Sequence, residues 1–118
     1  MEIKGFVASG LGEGALYVGK YNKYFLGKLG FEAFPGTLNL KCAADIGEIF
    51  KGSMVIRPEE KGLFPVHVRD AIINNKVKGA VVGPVKTVHK GILEVIAPLN
   101  IKEYLGLNEG DMVRVRLL

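Results

Sequence analysis

Short runs rich in Val, Ile and Leu alternate along the chain with gaps that carry glycine, and the apolar spacing inside each run indicates its element. Ile3 to Ala8 reads as a first strand leading into Ser9-Gly10-Leu11-Gly12-Glu13-Gly14, and Ala15-Leu16-Tyr17-Val18 reads as a second. From Lys20 to Leu29 the apolar positions Tyr21, Phe25, Leu26 and Leu29 recur at helical spacing, which predicts an amphipathic helix ended by Gly30. Pro35-Gly36 is a turn signal that delivers the chain into an extended Thr37-Leu38-Asn39-Leu40. Ala44 to Phe50 predicts a short helix, Met54 to Arg57 a strand that stops before Pro58, and Leu63 to Val68 and Ala71 to Ile73 two short extended runs. Asn74-Asn75-Lys76 predicts a turn, Gly79 to Pro84 a buried strand, Thr87 to Gly91 a loop, and Ile92 to Ala97 the most apolar strand of the chain. Pro98 to Leu105 predicts a short helix capped by Asn100, with Glu103 three residues on as the acid half of a capping box. Met112 to Leu117 alternates apolar residues with Arg114 and Arg116, a last strand whose arginines face solvent. The sum is a mainly β protein.

Composition narrows the class without changing this picture. A length of 118 residues, 48% hydrophobic and 24% charged, suits one soluble domain able to bury a core. No apolar run approaches the roughly 18 residues of a spanning helix, so no membrane is expected. Met1 to Gly5 lacks a basic lead and an apolar segment, and the single Cys42 makes no internal disulfide, so a cytoplasmic protein is the expectation; a monomer is expected, though no residue pattern decides the oligomeric state. The net charge of +4 is dispersed, which suits a small anionic ligand and does not call for nucleic acid.

Three features carry candidate chemistry. In extended backbone Thr37 and Asn39 share one face while Leu38 and Leu40 take the other, so a hydroxyl and an amide oxygen stand side by side. They serve either as side chains bonding local backbone or as oxygen ligands to a metal. The glycines at 10, 12 and 14 serve either as a hairpin turn or as a loop whose N–H groups approach a phosphate. Between two strands, without a helix opening at the glycines and without a Gly-Lys-Ser/Thr ending, they match neither the dinucleotide fingerprint nor the P-loop. Glu94 interrupts the apolar run Ile92 to Ala97, so its carboxylate must reach solvent, pair with a cation or bind something. His67 reads as a surface side chain in an alternating strand, and His89 as a loop residue with no second ligand at metal spacing.

Taken in order, Ser9-Gly-Leu-Gly-Glu-Gly-Ala15, Phe34-Pro-Gly-Thr-Leu-Asn-Leu40, Gly79-Ala-Val-Val, Lys86-Thr87, Ile92-Leu-Glu-Val-Ile-Ala-Pro98 and Leu107-Asn-Glu-Gly-Asp111 resemble the archaeal-type CTP-dependent riboflavin kinases. The resemblance runs from about Gly5 to the C-terminus, and the Thr-x-Asn pair also looks like the Thr-Ala-Asn of the ATP-using riboflavin kinases. It implies a six-stranded closed β-barrel, cradle-loop in type, with short peripheral helices. It further implies that Gly10, Leu11, Gly12, Glu13, Gly14 and Ala15 bind nucleotide phosphates, with Leu99, Asn100, Ile101 and Lys102 as a second nucleotide segment. Thr37 and Asn39 would be Mg²⁺ ligands, and Thr87 and Glu94 flavin contacts. The implied activity is transfer of the γ-phosphate of CTP to the 5′-hydroxyl of riboflavin, giving FMN and CDP. No residue stands out as a general base. Some members of that family carry an N-terminal winged-helix domain, and with Gly10 so near the first residue none is expected here. A reading from another class is a small β-barrel transcriptional regulator that binds nucleic acid, motivated by Gly110-Asp111 and the Arg114/Arg116 strand.

Overall fold

The computed structural model describes residues 1–10, 14–85 and 91–118. Its strands are β1 (Glu2–Ala8), β2 (Leu38–Cys42), β3 (Met54–Ile56), β4 (Val66–Ile73), β5 (Val77–Pro84), β6 (Ile92–Ile96) and β7 (Met112–Leu117), and its helices α1 (Gly14–Leu29), α2 (Ile46–Ile49) and α3 (Ile101–Leu105). All strand pairings are antiparallel. Six strands in the order β4-β5-β6-β2-β1-β7 close on themselves through a β7–β4 pairing, and β3 adds to β4 outside the ring. The six-stranded closed barrel expected from the sequence is therefore present, with one strand more.

Strand alternation builds the interior. Ile3 and Val7, Leu38 and Leu40, Ala71 and Ile73, Leu93 and Val95, and Val113, Val115 and Leu117 all point into one core cluster. Because β2 and β6 are antiparallel, α2 after β2 and α3 after β6 close opposite ends of that core, through Ile49 and Phe50 at one and Ile101 at the other. A second cluster lies outside the wall, where Val18, Tyr21 and Phe25 of α1 cover Ile56, Val66, Val68, Ala80, Val82 and Ile96. The Tyr21 hydroxyl donates to the carbonyl of Phe64 at 2.8 Å and accepts from its N–H at 2.9 Å, fixing the approach to β4. Among the described residues no element covers the outward side of β2, β1 and β7.

Several sequence expectations are corrected. Ala15 to Val18 is not a strand; α1 opens at Gly14 and runs through Leu29. Val18, Tyr21 and Phe25, each buried, form its seam at helical spacing, and their packing on β4 and β5 decides what a four-residue apolar run left ambiguous. The runs at Leu63 to Val68 and Ala71 to Ile73 are not separate, since one strand spans Val66–Ile73. His67 is not a plain surface residue: its ring stacks on Phe50 at 5.2 Å and its Nδ1 lies 3.0 Å from Ser53 Oγ. The turn at Asn74 and Asn75 holds, both residues taking positive φ as a primed hairpin turn demands. The α3 cap also holds, with Asn100 Oδ1 accepting from Glu103 N at 3.2 Å and Gly106 ending the helix in the left-handed region. No described helix is long and apolar enough to cross a membrane.

Candidate functional site

The register sets the site. Ala8 of β1 faces Asn39 of β2, Asn39 faces Glu94 of β6, and Glu94 faces Val82 of β5. With Leu38, Leu40, Leu93 and Val95 pointing into the barrel, Asn39 and Glu94 must point out, side by side. Thr37, just before β2, brings its hydroxyl to 3.5 Å from Glu94 Oε1, a long hydrogen bond that gathers three oxygen-bearing groups at one end of the barrel. The segment that delivers Thr37 is held from two sides. Asn22 of α1 pairs with Ala33 through both amide atoms, at 3.1 and 2.8 Å, and Phe34 N donates to the carbonyl of Ala97 at 2.7 Å;. Gly36, at φ 132°, makes the turn between them.

The glycine loop begins at the same end. Val7 N donates to Asp111 O at 2.9 Å and Gly110 N to Val7 O at 2.8 Å, while the Ser9 hydroxyl bonds the Glu109 carboxylate, so the turn at Leu107 to Asp111 anchors the exit of β1. Gly10 then packs on Asn39: a Cβ built at residue 10 would lie 2.5 Å from Asn39 Nδ2. Leu11, Gly12 and Glu13 lie outside the described residues. The chain reappears at Gly14 and Ala15 as the first turn of α1. A strand, then glycines, then a helix N-terminus is the order the sequence reading excluded, and it sets the N-terminal, positive dipole end of a 16-residue helix at Gly14.

Tyr17 closes the α1 side, and sequence reasoning assigned it no role. Its hydroxyl is buried with no hydrogen-bond partner among the described residues. Burial pushes its pKa well above the usual phenol range, and the nearby Glu94 carboxylate and then Tyr21 add to the rise, so it stays a neutral donor. The signal that would have found it is the helical stripe of Val18, Tyr21 and Phe25, which brings the preceding residue beside β6.

The remaining predicted residues divide. Ile101 is buried in the barrel core and the Asn100 side chain is spent on its helix cap, so in this segment the backbone and the exposed Lys102 are the groups left to meet a ligand. Leu99 packs against the same core. Thr87 lies outside the described residues.

The family model labelled CTP-dep_RFKase, described as a domain of unknown function (DUF120), matches residues 7–117. The chain belongs to the archaeal-type CTP-dependent riboflavin kinase family. It is 39% identical to a riboflavin kinase of Thermococcus kodakarensis over 127 residues, covering 98% of this chain and 58% of that protein. A riboflavin kinase of Methanothermobacter thermautotrophicus is 40% identical, with 89% of each chain covered. One of Saccharolobus solfataricus is 34% identical, with 99% of this chain and 74% of that protein covered. The chain thus spans little more than half of the first of these relatives.

The oxygens at the family's Thr-x-Asn motif fit a hard cation. Thr37 Oγ1 and the Asn39 amide oxygen are neutral donors, and the Glu94 carboxylate beside Thr37 adds negative potential. No group of three or more His, Cys, Asp or Glu stands together among the described residues, so an Mg²⁺ ion here would take the rest of its shell from water and phosphate oxygens.

Proposed function

We propose that the chain transfers the γ-phosphate of CTP to the 5′-hydroxyl of riboflavin, giving FMN and CDP. The observation that carries the reading is the convergence of Gly10, Thr37, Asn39 and Glu94 on one outward edge of a barrel whose chain belongs to this family. In this reading the loop from Gly10 to Ala15 cradles the nucleotide phosphates through backbone N–H groups. The backbone from Leu99 to Ile101 and the Lys102 side chain meet the nucleotide further along. Thr37 and Asn39 hold Mg²⁺, which when bound neutralises phosphate charge. Glu94, with Thr87, orients the flavin.

The ribityl oxygen bonds to the γ-phosphorus as the bond to the β-phosphate oxygen breaks, and the hydroxyl proton leaves to solvent. A loose transition state asks for alignment and charge neutralisation more than for a strong base, which suits a site built of N–H groups and neutral oxygens. The choice of CTP over ATP rests on the family. The test is to incubate the protein with riboflavin, Mg²⁺ and either CTP or ATP and to separate flavins by chromatography. FMN appearing with CTP, and disappearing with chelator, is expected; no FMN with any nucleotide overturns the reading.

Lys4, Lys41, Arg114 and Arg116 are all exposed on the outward side of β1, β2 and β7, which is the observation favouring a nucleic-acid-binding regulator. Glu2 opposite Arg116 dilutes that surface. Binding of the protein to duplex DNA at physiological salt, with no FMN formed, would select that reading instead.

A further inference from the structure

Taking from the kinase reading that Thr37 holds the metal, we propose that Asn22 is a positioning residue for that site: it ties the segment carrying Thr37 to α1, so that cation affinity depends on a side chain that never meets the cation.

Residues 31–37 form neither helix nor strand, and Gly30 and Gly36, at φ 82° and 132°, bend the chain before the segment and near its end. Such a segment has no ladder of its own, so groups reaching it from outside set its position. Among the described residues these are the Asn22 side chain, which bonds both the N–H and the carbonyl of Ala33, and the Ala97 carbonyl, which accepts from Phe34 N. The second bond ties the segment to the end of β6, the strand of Glu94; the first ties it to α1.

The sequence suits Asn22 to this task. Val18, one turn earlier, and Tyr21 and Phe25 face the barrel, so residue 22 lies at the border of the buried seam, where a polar side chain can turn to a neighbouring segment. Asn is a weaker helix former than Ala or Leu because its amide competes for backbone groups, and here that capacity is used on the backbone of Ala33. Asn22 stands about 12 Å along the same helix from Gly14. One rigid element thus fixes both Gly14, where the loop read as the phosphate cradle ends, and the segment that delivers Thr37.

Thr37 has no slack. Its hydroxyl lies 3.5 Å from Glu94 Oε1, at the outer limit of a hydrogen bond, so a drift of the segment away from β6 breaks the contact. Asn39 is different, because the pairing of β2 with β1 and β6 holds it whatever residue 22 is. Loss of the Asn22 amide should therefore take one of the two protein oxygens from the cation and leave the other.

The experiment measures Mn²⁺ binding by electron paramagnetic resonance, with CTP present and riboflavin absent, in wild type, Asn22→Ala, Thr37→Val and the double variant, together with amide hydrogen exchange. Mn²⁺ stands in for Mg²⁺ because both prefer oxygen ligands in octahedral array. Asn22→Ala should weaken Mn²⁺ about tenfold, the scale of one or two lost hydrogen bonds, and speed exchange at Ala33 while the amides of β2 keep their protection. Thr37→Val should weaken Mn²⁺ by a similar factor and the double variant no further, since both changes remove the same oxygen. Asn22→Asp keeps the acceptor for Ala33 N and loses the donor to its carbonyl, so it should fall between, and it carries the test if Asn22→Ala does not fold. Wild-type Mn²⁺ affinity in the Asn22 variants, unchanged exchange at Ala33, or effects of Asn22→Ala and Thr37→Val that multiply in the double variant overturns the positioning role. Failure of the kinase reading is distinct: wild-type protein that binds Mn²⁺ with CTP and shows this non-additivity yet forms no FMN keeps the role and loses the reaction, and wild-type protein that binds no Mn²⁺ with CTP loses the role.

Discussion

Gly10 and Asn39 touch so closely that a methyl group on residue 10 would sit 2.5 Å from the Asn39 amide nitrogen. Gly10 and the Thr-x-Asn strand, far apart in sequence, are thereby one object: the backbone at residue 10 sets where the Asn39 side chain can lie. Gly10→Ala should leave the barrel intact, because the obstructing atom is the end of a side chain that can rotate away. That rotation displaces the Asn39 amide, and with it the oxygen proposed to hold the metal. FMN formation should drop at least tenfold at limiting Mg²⁺ and recover in part at high Mg²⁺, with little change in the melting temperature. A loss independent of Mg²⁺ would separate Gly10 from the proposed metal site.

Gly79 gives the opposite expectation. A Cβ there would lie 2.3 Å from the carbonyl oxygen of Ile96, a backbone atom in the β5–β6 pairing of the barrel wall. Backbone cannot rotate aside, so Gly79→Ala forces the two strands apart and should cost about 3 kcal/mol, at the overpacking end of core substitutions. Urea unfolding measures it. A variant as stable as the parent would mean that β5 and β6 tolerate a shift that their register does not suggest.

These two glycines also show where the sequence was legible. Alternation marked β7, short apolar runs marked β1 and β6, the Pro35-Gly36 turn signal marked β2, and the local chemistry of Asn100 and Glu103 marked α3. The start of α1 was illegible: Ala15 to Val18 is apolar at every position, and only contact with Val68 and Val82 on distant strands makes a helix of it. The barrel's closure through β7 and β4, and the meeting of Gly10 with Asn39, depend on pairings that no local pattern encodes; the family resemblance implied a closed barrel but neither of these two contacts. Tyr17 and His67 were missed for the same reason, since each acquires its surroundings only when the chain closes.

Tyr17 invites a test in which stability and activity move in opposite directions. A buried hydroxyl without a partner costs about 1–3 kcal/mol, so Tyr17→Phe should raise the melting temperature of the ligand-free protein by a few degrees. It should also lower kcat/KM if the hydroxyl finds its partner only in the loaded site. The pH dependence has a definite sign. The folded-state pKa is raised above the ordinary 10.0, so below that value both states keep the proton. As pH rises past it the unfolded state alone releases the proton, and stability falls. The stability difference between wild type and variant should therefore be flat to about pH 9 and shift against the wild type above pH 10. A variant less stable than the parent at neutral pH would show that the hydroxyl is already bonded.

His67 governs the acid side. Its ring lies against Phe50, and Phe50 in turn covers Gly83, the residue opposite His67 on β5. Burial lowers the imidazole pKa below its usual 6.5, so the folded state favours the neutral ring that shares a hydrogen bond with Ser53. Above pH 6.5 neither state is protonated and His67 adds no pH dependence. As pH falls below 6.5 the unfolded chain takes up a proton that the folded one resists, so stability declines until the lowered folded value is passed. His67→Gln removes this titration while keeping a side chain able to reach Ser53. Thermal unfolding followed from pH 7.5 to 5 should show a shallower decline in the variant than in the parent. Equal slopes would mean that the imidazole stacked on Phe50 is protonated as readily in the folded protein as in the unfolded chain.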